Sequence, residues 1–241
     1  MINLMNLELR KLFRTKSFYI ITLVSLLLTF LNIKIMTNVP NQSVYTAVHS
    51  SSTYGMLLMM CDIFTSIFIC EDQVSGTLKN IYSKGYSRRK VFFAKYLSGL
   101  IALFMMYILG MLFSYICSLA LWNSTGVMPD KFFLSLLTKT VLIISEYTLF
   151  YVAACILGKT GASIAFNIVA PTFIPLILAL ADNYLKIKSF TLKSFWIEDL
   201  ISTVSGDVIT TKNIATGAIV GILYICIFLV VGEMLNNRKE L

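Results

Sequence analysis

The sequence predicts an all-α protein that crosses a lipid bilayer six times. Of its 241 residues, 57% are hydrophobic and only 13% are charged, whereas soluble domains carry about 25% charged residues. The mean hydropathy is +0.80, and 4 prolines and 12 glycines are too few for a turn-rich β protein. These observations exclude a soluble enzyme, a disordered chain and a nucleic-acid-binding domain. The net charge of +8 is therefore interpreted as a signal of membrane topology.

The first segment, residues 1–16, predicts an amphipathic helix. Its apolar residues recur at spacings of three and four: Ile2, Met5, Leu9, Leu12 and Phe13. Such a helix would lie in the inner interface of the bilayer with its bases toward anionic lipid. The alternative is a plain basic flank that only orients the first span.

Six apolar runs follow, each close to the ~20 residues that a helix needs to cross a bilayer. They are 17–36, 54–71, 97–121, 132–157, 161–182 and 214–234. Runs of this kind must be helical, because an unpaired peptide group in lipid costs several kcal/mol. Only the connections 37–53, 72–96 and 183–213 are long. We therefore predict a single membrane domain over residues 1–241.

Lysine and arginine predict the orientation of the spans. Thirteen of the 20 basic residues, including all five arginines, fall before span one, in 72–96, after span four or at the C-terminus. The positive-inside rule places these segments, and both termini, in the cytoplasm. The connections 37–53 and 183–213 would then lie outside the cell membrane. Fifteen lysines against five arginines suggest a low-GC Gram-positive bacterial source.

The connection 72–96 predicts a short helix over 73–82 that lies under the membrane. One face of this helix is apolar: Val74, Leu78, Ile81 and Tyr82. Gly85 would turn the chain, and Ser87 is a candidate N-cap of the next helix. The bases that follow Ser87 lie at the positive end of that helix dipole, which disfavours cations. An acidic partner or lipid phosphate would account for them.

This stretch of the sequence resembles the permease subunits of ABC-2-type export transporters. The resemblance consists of Glu71 at the end of span two, then Gly76-Thr77-Leu78-Lys79, then Ser87-Arg88-Arg89-Lys90 leading into span three. With the amphipathic start, the six spans and the long last outer connection, it covers the whole chain. It implies an N-terminal elbow helix, a cytoplasmic coupling helix that docks on an ATPase, and outer helices before the last span. The implied coupling residues are Glu71, Val74, Gly76, Thr77, Leu78, Lys79, Ile81, Tyr82, Arg88 and Arg89.

The sequence assigns no catalytic residue, metal or cofactor to this chain. It contains no Gly-x-x-x-x-Gly-Lys-Ser/Thr loop for phosphates, one histidine, His49, and five cysteines at no metal-ligand spacing. The resemblance therefore implies that ATP and Mg are bound by a separate ATPase subunit. It also implies two permease copies in the working unit, as a homodimer or a close heterodimer.

Polar residues inside the spans are candidates for the transport path. Asp62 lies midway along span two, with Thr65 and Ser66 one turn on. A carboxylate at bilayer depth faces a cavity or a partner by default, so Asp62 either lines the path or is a structural acid between helices. For Glu146 in span four we favour the structural role, because that span is peripheral in the resembled family.

Three further residues are candidates for a gate. Pro171 and Pro175 each remove a hydrogen bond from span five, so the helix should kink and form either a hinge or a static bend. In 183–213, Ser194 can cap a helix that runs to Gly206. Trp196 in that helix suits the membrane interface, as a gate over the exit or as a plain anchor.

The best-supported function is therefore an ABC export permease. Its short connections suggest a hydrophobic or amphipathic peptide or drug as substrate, as in exporters of phenol-soluble modulins or bacteriocins. The alternatives are a secondary transporter, which usually has paired broken helices, an intramembrane enzyme, and a structural or immunity membrane protein. Acids scattered over different helices argue against the enzyme.

Overall fold

The computed structural model of the protein describes residues 2–37, 43–51, 55–122, 128, 130–185, 191–205 and 210–238. Within these residues the secondary structure is helical throughout, which confirms the all-α prediction. The helices are α1 (Ile2–Arg14), α2 (Lys16–Met36), α3 (Val44–Ser51), α4 (Gly55–Val74), α5 (Thr77–Ser83), α6 (Arg88–Trp122), α7 (Phe132–Leu157), α8 (Thr160–Leu185), α9 (Ile197–Ser205) and α10 (Thr211–Arg238). A 3-10 turn, Lys193–Phe195, precedes α9.

Five of the described helices are long and apolar enough to cross a bilayer: α2, α6, α7, α8 and α10. They correspond to five of the six predicted spans and confirm a polytopic membrane protein. The predicted span 54–71 forms as α4, but it is not among the five, because Asp62, Glu71 and Asp72 place three acids in one 20-residue helix. The number six therefore stays a prediction.

The described helices are arranged around α7. The most apolar stretch of α7 is 61% buried, against 11% for α8 and 17% for α10. Its tyrosines fix it to α6, since the Tyr147 and Tyr151 hydroxyls donate hydrogen bonds to the carbonyls of Tyr96 and Phe92 at 2.9 and 2.6 Å. The expectation of a peripheral span four is therefore wrong for this chain.

Two helical corners lie at opposite ends of the bundle. At one end, α1 and α5 pack on the start of α6, and the end of α10 is close by. At the other end, α3 packs on α6 and reaches the first turns of α7, and α9 packs between α7 and α10. The segments that carry the two chain termini thus share one end of the bundle.

Candidate coupling region and transport path

The short helix of the predicted coupling region begins later than predicted. Gln73 and Val74 complete α4, and α5 runs over Thr77–Ser83. Two glycines set the bends on either side of α5. Gly76, with φ of 71°, precedes the helix, and Gly85, with φ of 84°, follows it. Both angles lie in the left-handed region, which favours glycine. The turn predicted at Gly85 is confirmed.

The apolar face of α5 is already covered by this chain. Leu78 and Ile81 are buried with Leu4 of α1 and with Val91 and Ala94 of α6. Val74 does not share this face, because it ends α4 and is 68% exposed. The Leu78 and Ile81 side chains therefore need neither lipid nor a second subunit to be buried. Leu78 and Ile81 instead hold α5 onto α1 and α6.

The exposed face of α5 is polar. Thr77, Lys79, Asn80 and Ser83 are exposed along it, and Lys84 is exposed directly after it. The Thr77 hydroxyl also lies 2.8 Å from that of Ser75. Any partner of this corner would meet hydroxyl, amide and ammonium groups here.

Arg88 and Arg89 have partners within the chain. The Arg88 guanidinium lies over the Tyr82 ring and donates to the carbonyl of Asn237 at 3.4 Å. Arg89 lies 2.9 Å from the Glu233 carboxylate of α10 and over the Phe93 ring. These contacts account for bases at the unfavourable end of a helix dipole. The acidic partner expected for Arg89 is therefore present in α10.

A buried cluster of charges joins α1, α4 and α6, and the sequence analysis did not identify it. Lys95 is buried and forms ion pairs with Asp72 and, at 3.7 Å, with Glu8. Lys11 lies 2.5 Å from the other Asp72 oxygen and 3.6 Å from Glu71. Burial raises the pKa of Glu8, while Lys95 opposes the shift. We name Glu8, Lys11, Asp72 and Lys95 the buried charge cluster.

The elbow helix contributes to this cluster because its packed face differs from the predicted one. Among the described side chains of α1, Leu4, Glu8 and Leu12 are buried, whereas Phe13 is 44% exposed. The i, i+4 spacing of Leu4, Glu8 and Leu12 was the available signal. Because the middle residue of this set, Glu8, is an acid, the set does not read as an apolar face in the sequence.

Within the membrane region, the candidate path residues of α4 contact α8. The Ser66 hydroxyl lies 2.7 Å from that of Ser163, and Asn167 donates to the Ser66 hydroxyl and the Asp62 carbonyl. Thr65 donates to the carbonyl of Cys61 on its own helix. Asp62, Thr65 and Ser66 are all buried in the described subunit. Their role in transport stays a prediction.

Acids that are distant in sequence are close in space. Asp62 of α4, Glu146 of α7 and Glu198 of α9 interact electrostatically with one another. The positions of these acids on different helices are therefore a weaker argument against an intramembrane enzyme than the sequence suggested. Nevertheless, among the described residues no group of three or more His, Cys, Asp or Glu could hold a metal ion.

The gate candidates lie in α8 and just before α9, and the kink predicted at the two prolines stays a prediction. α8 continues as one helix through Pro171 and Pro175. Trp196 follows the 3-10 turn directly, precedes α9 and is 8% exposed, and its role as gate or anchor stays a prediction. Ser194 lies inside the 3-10 turn rather than at the start of α9. Gly206, the predicted end of that helix, lies outside the described residues.

At the opposite end of the bundle, His49 has a structural role that the sequence did not indicate. Lys139, which is 0% exposed, donates to the His49 carbonyl at 2.8 Å and lies 3.1 Å from His49 Nδ1. Ser135 lies 3.0 Å from His49 Nε2. Burial, together with the charge of Lys139, lowers the pKa of His49 to about 4. These contacts fix α3 to α7.

The helical bundle and its peripheral helices define a polytopic membrane protein. The model of the family described as ABC-2 family transporter protein matches residues 4–182. The match covers most of the chain, and the protein therefore belongs to the ABC-2 transporter family, as a permease of an ABC transporter. A search of curated proteins finds no significant match.

Proposed function

We propose that this chain is the membrane subunit of an ATP-driven exporter. Two permease copies, as a homodimer or a close heterodimer, form the transport path, and a separate ATPase subunit binds ATP and Mg. The observation that carries the proposal is the family match over residues 4–182, which includes α5 and the helices that hold it. The absence of a phosphate-binding loop from the sequence supports a separate ATPase.

The proposed docking surface is the exposed side of α5. Leu78 and Ile81 pack inside the chain, so the contact with the ATPase would be made by Lys79, Asn80 and Lys84, with Val74 and Glu71 at its edge. A lysine at such a surface attracts acidic groups on the ATPase. This attraction mainly sets the rate at which the two subunits meet and their orientation when they do. The buried charge cluster would transmit movement of α1 to α4 and α6, because its ion pairs link these three helices. Movement of α5 would reach the cluster through the apolar packing of α5 on α1 and α6.

The proposed location is the plasma membrane of a bacterium, with both chain termini in the cytoplasm. The basic residues that predict this orientation include Arg10 and Lys84, which lie at the same end of the bundle as α5. The proposed substrate is a hydrophobic or amphipathic peptide or drug. In support, the outer connections 37–53 and 183–213 are too short to form a large separate domain outside the membrane.

Co-purification with the ATPase tests the docking surface. Lys79→Glu should weaken recovery of the ATPase on the order of tenfold, since like charges across an interface cost more than 1.4 kcal/mol. Lys212→Glu is the matched control, because Lys212 is exposed at the start of α10, at the opposite end of the bundle. Equal recovery with both variants would reject α5 as the docking element. Leu78→Asp is unsuitable as a test, because it would disrupt packing within the permease itself.

Transport by membrane vesicles that contain both subunits tests the function itself. ATP-dependent accumulation of an amphipathic peptide in inside-out vesicles is the expected result. Asp62→Asn should alter transport at normal levels of assembled complex if Asp62 lines the path, whereas lower amounts of complex with unchanged activity would indicate a structural acid. Protection of cells without any ATP-dependent transport would favour an immunity protein instead.

A further inference from the structure

A groove of about 960 Å³ lies beside α1 at the same end of the bundle as α5. It is formed by α1, the first turn of α2 and the end of α4. Its charged lining residues are Arg10, Lys11, Arg14, Lys16 and Glu71. Thr15 and Ser17 also line it.

The charges of this groove are strongly unbalanced. It contains four bases and a single acid, and Lys11 lies 3.6 Å from that acid, Glu71. Among the described residues, no carboxylate lies within ion-pair distance of Arg10, Arg14 or Lys16. Two guanidinium groups with free donors and a neighbouring ammonium suit a phosphate group, which arginine binds in a bidentate manner.

The surroundings of the groove favour a lipid over a soluble anion. Leu7 lines the groove and is 52% exposed, and Phe13 and Tyr19 on the adjoining turns are 44% and 55% exposed. The Tyr19 hydroxyl donates to the carbonyl of Phe13, so it fixes this apolar edge across the junction of α1 and α2. Exposed apolar side chains next to bases are typical of a helix in the bilayer interface.

We propose that this groove binds the phosphate headgroup of an anionic phospholipid, with Arg10, Arg14 and Lys16 around the phosphate and the acyl chains along Leu7 and Phe13. Lys11 lines the groove and belongs to the buried charge cluster, since it lies 2.5 Å from Asp72. A bound headgroup therefore lies next to the inner end of α4. The proposal is independent of the transport activity, and a permease that has lost its ATPase would still bind the lipid.

Native mass spectrometry of the full-length chain tests the proposal. The chain is released from detergent with equal amounts of phosphatidylglycerol and phosphatidylcholine, and bound lipids are counted. The variant Arg10→Gln with Arg14→Gln should lower the phosphatidylglycerol binding constant about 25-fold, from a roughly fivefold contribution of each base near an anionic surface. Arg14→Gln alone should lower it about fivefold. Thermal unfolding checks that these variants remain folded.

The matched control removes the same charge elsewhere. Lys84→Gln with Lys90→Gln neutralises two exposed bases at the same end of the bundle that do not line the groove. This control should keep its preference for phosphatidylglycerol. An equal loss in control and groove variants would show diffuse attraction and overturn the proposal.

Two further outcomes would also overturn it. Displacement of phosphatidylglycerol by an equal concentration of inorganic phosphate would show a site for free phosphate. Unchanged lipid binding in the groove variant, with reduced recovery of the ATPase, would show that the groove is a docking surface for a protein.

Discussion

Replacement of Lys95 by methionine should destabilise the protein through the buried charge cluster. The change keeps an unbranched side chain, one atom shorter, but removes the cation that lies between Glu8 and Asp72 and leaves Asp72 paired with Lys11 alone. At an effective dielectric constant of 20, the 3.7 Å pair of Lys95 and Glu8 corresponds to roughly 4 kcal/mol of attraction. Removal of one partner from a buried pair costs about 3–5 kcal/mol. We expect a loss of stability in the same range here, which corresponds to a fall of roughly 6–20 °C in Tm.

The native cysteines provide the assay. Cys61, Cys70 and Cys155 are buried, so a thiol reagent that fluoresces on reaction reports their exposure as the protein unfolds on heating. Glu8→Gln in the Lys95→Met background should restore about 1–3 kcal/mol, because the uncompensated carboxylate is removed. Lys90→Met, at an exposed position of the same helix, is the control and should cost less than about 0.5 kcal/mol. A Lys95→Met protein as stable as this control would refute the reasoning.

Three further predictions concern single residues. Folding lowers the pKa of His49 from 6.5 to about 4. As pH falls, His49 therefore takes up a proton in the unfolded chain at a higher pH than in the folded protein. The protein should lose about 2 kcal/mol between pH 7 and pH 5, and thermal unfolding of His49→Gln should show much less of this loss. Gly99→Ala would place its Cβ 2.2 Å from the Tyr147 hydroxyl and should cost about 1–3 kcal/mol, whereas Gly161→Ala, with open space around it, should be near neutral in the same assay. Gly76→Ala forces a side chain into the left-handed region and should cost about 1 kcal/mol; a neutral effect on unfolding would show that α5 can rearrange.

The sequence located much of the site along the chain but did not show which partner covers each of its faces. Gly85 was identifiable because glycine in a polar stretch between helices marks a bend, whereas Gly76 was placed inside the predicted helix 73–82. Leu78 and Ile81 were correctly placed on one face of a short helix, yet their partner was assigned to another subunit. The sequence contains no information on whether an apolar face is covered within the chain or between chains, because burial by Leu4 and Val91 produces the same pattern.

The buried polar contacts were not predictable for a related reason. Lys95 and Asp72 are 23 residues apart, and Lys139 and His49 are 90 residues apart. Each residue alone is typical of a helix end or a connection. Only the crossing of helices brings the pairs together, and the free energy of such a pair depends on the burial that this crossing creates.

The sequence by itself determined the class of protein, the membrane helices other than α4, and the family. Composition and run length suffice for the class and the helices, because the bilayer imposes one length scale and requires that every peptide group be paired within a helix. The family rests on the resemblance of residues 71–90 instead. The tertiary structure alone decided which faces of these helices are covered. It placed α7 in the centre, buried Trp196, and gave Arg89 its partner Glu233 in α10. The physical reason is that in lipid an apolar helix surface is equally suited to the bilayer and to another helix, so only side-chain packing and buried polar contacts distinguish the two.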